Sequence, residues 1–293
     1  MPIETRWLAS ATASCWHAAE AIARGAELVD RATHDAMVGE VDELLGEVRS
    51  LGLDQDFFFA CAVPAAVQLD VPAEWAKAVL SRLVGVAPAP DAAQRLARRF
   101  VALQAAFLRT NPQVLDELEL RTAPLMGQWE ARGPGLLAGV ARLTEPELIV
   151  ERADVIAVHP VLGGGGAAHW LYNSVRIEAV LANPIAQLPE VLRLGWLLAQ
   201  LQLELPKFDA NLRADRRAEV WRLAMIPPVL AAAEEVELAR YGPPSLAAAL
   251  SAWTDDLEAT AAGTLATWWD TYAATSASWP AALAALDRLL LAD

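Results

Sequence analysis

The residues best suited to chemistry fall in one stretch, Val158 to Arg176, VHPVLGGGGAAHWLYNSVR. His159 precedes the run Gly163, Gly164, Gly165 and Gly166, and His169, Asn173 and Arg176 follow it. If a helix runs from Ala167 to Ala182, then His169, Asn173 and Arg176 stand at i, i+4 and i+7 and share one narrow stripe. Glu178 would point away from that stripe. Unpaired N–H groups at a helix start, beside glycines that let a ligand come close, make a site for an anion. Arg176 would clamp the anionic group, and His169 would give or take a proton as the candidate catalytic residue. His159 would converge on the same ligand from across the loop.

The glycine run has neither the spacing of a dinucleotide fingerprint nor the Lys and Ser/Thr of a phosphate loop, so the cofactor is left unknown. A plain join between two packed pieces is the competing reading of the four glycines.

Other constellations carry less. His17 and Glu20 stand one turn apart, as do Asp30 and His34, but no HExxH or ExxH pair accompanies them. No metal ligand set is assigned. Asp255, Asp256 and Glu258 read as acids that stabilise a helix start rather than as magnesium ligands. Asp209, Arg213, Asp215, Arg216, Arg217 and Glu219 read as ion pairs on an exposed helix. Cys15 and Cys61 cannot build a disulfide framework and read as small buried hydrophobes.

The elements expected to position these residues are helices. PAEWAKAVLSRLVG has Pro72 at a favoured first-turn position, with Trp75, Val79, Leu80 and Leu83 on one face. Asp91 reads as the cap of a helix carrying Leu96, Phe100, Leu103 and Phe107, and Asn111 with Pro112 as the start of the next. Further helices are expected from Pro189, from Ser245 as a cap, and across PAALAALDRLLLAD. QDFFFACAVPAAVQL reads as two helical pieces divided at Pro64, and the N-terminal MPIETRWLASATASCWHAAEAIARG as an amphipathic helix. Only ADVIAVHPVL looks like a strand, and a lone strand leaves its edges unpaired. The fold class expected is therefore all-α, a compact domain of roughly ten to thirteen helices, with irregular helix-pair stacking as a variant. Residues 1–293 read as a single domain, with weak subdivision points near 84–91 or 130–135.

Composition narrows the function classes. With 23 Lys and Arg against 37 Asp and Glu, the formal charge is −14, which repels phosphate backbones, so nucleic acid is not an expected partner. The longest stretch without a charged side chain, Val155 to Val175, contains four glycines and a proline and does not read as a membrane span. The expected location is the cytoplasm. Eleven Trp against six Phe and three Tyr suggests gap filling between alanine-rich helices, or an aromatic-lined pocket or interface. Adjacent Trp268 and Trp269 are not expected to face one core together. The leading expectation is a soluble helical protein-interaction module or assembly subunit, with a protein partner or self-association. The alternative is an enzyme or small-ligand sensor that binds an anionic group at the Gly163–Gly166 loop.

Overall fold

The computed structural model describes residues 3–85, 87, 89–209, 212–254, 260–275 and 277–291. Asp255, Asp256 and Glu258, read as acids that stabilise a helix start, lie outside these residues. The chain is mostly helical, as its periodicity implies. Among the described residues there are thirteen α-helical segments and four strands.

Strand β1 (Glu4–Ala9) leads into α1 (Ala11–Ala23), where the Ser10 side chain accepts from the Ala13 amide and caps the helix. The N-terminal segment is thus a strand followed by a helix, not one amphipathic helix. Thr5 and Trp7 favour the extended form, and Ser10 is the stop signal between the two. Helices α2 (Arg31–Ser50), α3 (Gln55–Gln68), α4 (Pro72–Val84) and α5 (Pro90–Thr110) follow. Pro64 does not split α3, and Asp91 lies in the first turn of α5 rather than at its cap. Helix α6 (Val114–Leu143) begins after Asn111–Pro112 and runs straight through residues 130–135, with Pro124 and Pro134 inside it. That stretch is a helix interior.

The sheet is then completed by β2 (Arg152–Val158), β3 (Gly166–His169) and β4 (Ser174–Glu178). Its order is β1-β2-β4-β3, with β1, β2 and β4 parallel and β3 antiparallel at the edge. The remaining helices are α7 (Glu190–Leu198), α8 (Pro206–Asp209), α9 (Arg217–Ala224), α10 (Ile226–Glu235), α11 (Pro243–Trp253), α12 (Thr260–Ala273) and α13 (Trp279–Leu289).

The expected helix from Ala167 to Ala182 is absent: the segment is β3, a short 3-10 turn at 170–172, and β4. Asn173 adopts the left-handed conformation, with φ 47° and ψ 46°, which ends any helix there. From Ser174 to Glu178 polar and apolar residues alternate, which is the period of a strand. Val175 and Ile177 face one hydrophobic cluster, while Ile156, Val158 and Ala179 belong to the other. The sheet therefore lies between two helical cores. One is built by α1 to α5 with the first turns of α6, and the other by the rest of α6 with the C-terminal helices.

Tryptophan fills both cores. Trp16 stacks on Trp75 at 4.4 Å between ring centroids, and Trp196 on Trp253 at 5.4 Å. Trp7 and Trp170 are half-buried and the other nine of the eleven are buried. Trp268 and Trp269 both enter the same core, contrary to the expectation from their adjacency. Trp268 gives its indole N–H to the Ala282 carbonyl of α13 at 2.8 Å, and both rings meet Tyr272. Helices thus cover α12 on more than one side.

Candidate functional site

Strand β4 aligns Ser174, Arg176 and Glu178 on one face, and His169 of β3 faces Ser174 across the antiparallel pair. Helix α1 covers this row with His17 and Glu20. All six side chains are buried. Buried charge of this kind must be paired, and it is. Arg176 donates through Nη1 to Glu20, which also receives Arg24 Nη2 at 2.9 Å. His17 Nε2 lies 2.8 Å from Glu178 Oε1.

Glu178 has two further partners, and they decide what the glycine loop is. The Leu162 amide donates to its Oε1 at 2.7 Å and the Gly164 amide to its Oε2 at 2.6 Å. The loop does gather N–H groups around an anion, but that anion is the protein's own carboxylate. Gly164 has φ +139°, and a Cβ there would come within 2.5 Å of Pro184 Cγ. Gly166 lets β3 approach: a Cβ there would meet the Arg176 carbonyl oxygen at 2.6 Å and Leu197 Cδ1 at 2.7 Å.

The electrostatics follow from the pairing. Burial opposes ionisation of Glu20, yet Arg176, Arg24 and His17 together hold its carboxyl down to about 2. Burial likewise opposes ionisation of Glu178, and the His17 hydrogen bond with the Leu162 and Gly164 amides lowers it nonetheless. His169 goes the other way. Burial, reinforced by the Arg176 charge, pushes it down to about 3, so it is neutral at physiological pH.

A second feature lies just beyond the carboxyl ends of β2 and β4. A cleft of about 280 Å³ is lined by Asp30, Thr33, Arg121, His159, Val29 and Leu181, among others, with Gly163 at its edge. The His159 amide donates to Ser14 Oγ at 3.0 Å, which fixes the chain as it leaves β2. Its ring Nδ1 lies 3.9 Å from Glu117 Oε2, and burial lowers its pKa despite that acid. Asp30 caps α2, accepting from the Ala32 and Thr33 amides at 3.1 Å each and from Thr33 Oγ1 at 2.5 Å. Val29 and Leu181 are 71% and 63% exposed on the cleft's rim, and Leu162 is 38% exposed beside it.

The sequence-derived site residues are therefore divided. His169 and Arg176 come together in the buried row, His159 and Gly163 border the cleft, and Gly164 holds Glu178. Asn173 sits at the opposite end of β4, where it is exposed and donates to the Arg152 carbonyl at 2.7 Å. The single polar stripe does not exist because strand geometry replaces helical geometry. Sequence spacing reveals neither Glu20 as the partner of Arg176 nor His17 as the partner of Glu178. The signal for Glu178 was present in the alternation SVRIE, but α1 is too far away in sequence for spacing to reveal its contribution.

Among the described residues, no group of three or more His, Cys, Asp or Glu is placed to hold a metal ion, and no helix is long and apolar enough to cross a membrane. Cys15 and Cys61 are buried thiols whose pKa values burial raises. The chain matches no protein-family model, no curated protein and no solved structure at a significant level.

Proposed function

We propose that this chain acts by binding, as a soluble, cytoplasmic protein-recognition module or assembly subunit, and that the cleft beyond β2 and β4 is where it binds. The observation that carries this reading is the exposure of Val29 and Leu181 on the rim of one concavity. Large apolar side chains left uncovered around a cleft gain free energy when a partner covers them. The floor supplies hydrogen-bonding and charged groups, Thr33, Asp30, Arg121 and His159, which would fix a partner's orientation. A partner with a neutral or basic surface suits a chain of formal charge −14 better than an acidic one or a nucleic acid. A photo-crosslinking residue at Leu181, with sedimentation analysis of the purified chain, tests the reading. Adducts to a partner or to a second copy, lost in Val29→Asp, support it. A monomer that cross-links to nothing sinks it.

A second reading, a small-ligand sensor or enzyme, has its own observation. Open parallel sheets commonly bind ligands beyond their strand ends, and His159 and Arg121 stand there. An anionic group would pair with Arg121 in the cleft rather than with the glycine-loop amides, which Glu178 engages. His169 as the proton-transfer residue would have to work as an acceptor from a fully enclosed position. Thermal-shift screening with phosphate, nucleotides and metal ions tests this reading. A stabilisation that Arg121→Ala abolishes would favour it over protein recognition.

A further inference from the structure

The buried row between α1 and the sheet has more polar atoms than its ion pairs use. Among the described residues, Ser174 Oγ, Arg176 Nε and His17 Nδ1 are each buried without a hydrogen-bond partner, and of the two His169 ring nitrogens one has the Ala60 carbonyl beside it and the other has none. They are not scattered. His169 faces Ser174 across the β3–β4 pair, and Arg176 is the next residue of β4 on that face. His17 joins the row through Glu178, next again along the same strand. Buried polar groups in native proteins are almost always satisfied, and each dry one costs free energy comparable to a lost hydrogen bond. Four in one layer would be a heavy penalty for a fold to keep.

We infer that this row is an internal binding site for water, with ordered molecules bridging His169 to Ser174 and Arg176 and reaching towards His17. The chemistry selects a neutral occupant over an ion. Arg176 is matched by Glu20, and Glu178 by His17 and two loop amides, so no net charge is left facing inward. The open atoms offer both donors and acceptors. Arg176 Nε only donates, a serine hydroxyl does both, and the open ring nitrogens of His17 and His169 accept, since the other nitrogen of each donates to Glu178 and to the Ala60 carbonyl. Water satisfies such a mixture, whereas an anion or a cation would meet the wrong group on one side. No set of metal ligands is present among the described residues. Three or so hydrogen bonds per enclosed water is the usual number, and four open atoms, with one bond between the waters, supply enough for about two molecules.

The site is distinct from the cleft of the proposed function, and its test is independent of any ligand. A high-resolution crystal structure of the intact chain should show ordered water within hydrogen-bond distance of His169 and Ser174. In solution, the His169 ring protons should show cross-relaxation with water that resides far longer than surface water. Ser174→Ala, which removes one bridge, should weaken those cross-peaks. A row in which the four atoms pair directly with one another, with no internal water and no long-lived water signal, overturns the inference.

Discussion

Glu178 and Gly164 stand 14 residues apart, yet the Gly164 amide donates to Glu178 Oε2 at 2.6 Å and fixes the glycine loop on the end of β4. The Leu162 amide and His17 complete the set around that carboxylate. A loop with four glycines would otherwise be among the least ordered parts of the chain, so its order depends on one buried charge. Glu178→Gln keeps the shape and removes the charge. Hydrogen bonds to charged groups contribute about 1.5–3 kcal/mol, and the variant should lose at least about 2 kcal/mol in chemical denaturation. Amide exchange at Leu162 and Gly164 should accelerate more than exchange in α5. Unchanged protection at both amides would show that the loop holds itself.

The same layer makes the protein acid-sensitive, and the sign can be worked out. Glu20 lies near 2 in the folded chain against an ordinary 4.5, so its contribution is complete above 4.5 and is lost as pH falls towards 2. His169 lies near 3 against an ordinary 6.5; below 6.5 the unfolded chain takes up a proton that the folded chain refuses. Stability therefore falls with pH from about 6.5 downward, first through His169 and then through Glu20. Half-buried His159, also lowered, adds to the upper window. The Glu20 part amounts to about 3 kcal/mol over its range. Urea denaturation at stepped pH should show the decline, and His169→Gln should flatten the part between pH 6.5 and 4.5. An identical slope in that variant would remove His169 from the account.

Glycines separate into those the fold requires and those it tolerates. Gly166→Ala would drive a Cβ into the Arg176 carbonyl and Leu197, and Gly164→Ala would combine a clash on Pro184 with a φ of +139°. Each should cost about 2 kcal/mol or more. Gly39, inside α2 with open space where a Cβ would stand, should behave oppositely. Gly39→Ala is expected to stabilise by about 0.5–1 kcal/mol, because alanine is the better helix former. Melting temperatures of the three variants provide the comparison.

Most of the helical scaffold could be read from the chain because its signals are local. Pro72, Pro189 and the spacing of Leu96, Phe100, Leu103 and Phe107 all act within a few turns. The sheet could not be read in the same way. Glu4–Ala9 pairs with Arg152–Val158 almost 150 residues away, and neither strand shows its partner in its own composition. Strand β4 is buried on both faces, and the stretch that contains it also fits an apolar helix if only the density of Val, Ile and Leu is considered. Reading it as a helix gives His169 and Arg176 the right prominence with the wrong geometry. Their true neighbours, His17 and Glu20, come from α1, and only the fold brings them within reach.

The Glu20–Arg176 pair offers the sharpest energetic test. Both side chains are almost fully buried, and Arg24 is the third charge on the pair. A buried ion pair gives little net stability relative to an apolar pair of the same volume, but half of one is costly. Arg176→Met leaves Glu20 with the half-exposed Arg24 as its ion-pair partner and should lose about 3–5 kcal/mol. Glu20→Met alone strands the Arg176 guanidinium and should lose a similar amount. Combining them removes both charges, and the double variant should be more stable than either single one. A double-mutant cycle by chemical denaturation gives the coupling directly. Simple additivity of the two losses would mean that the two side chains do not depend on each other, and that Arg176 is held by something other than Glu20.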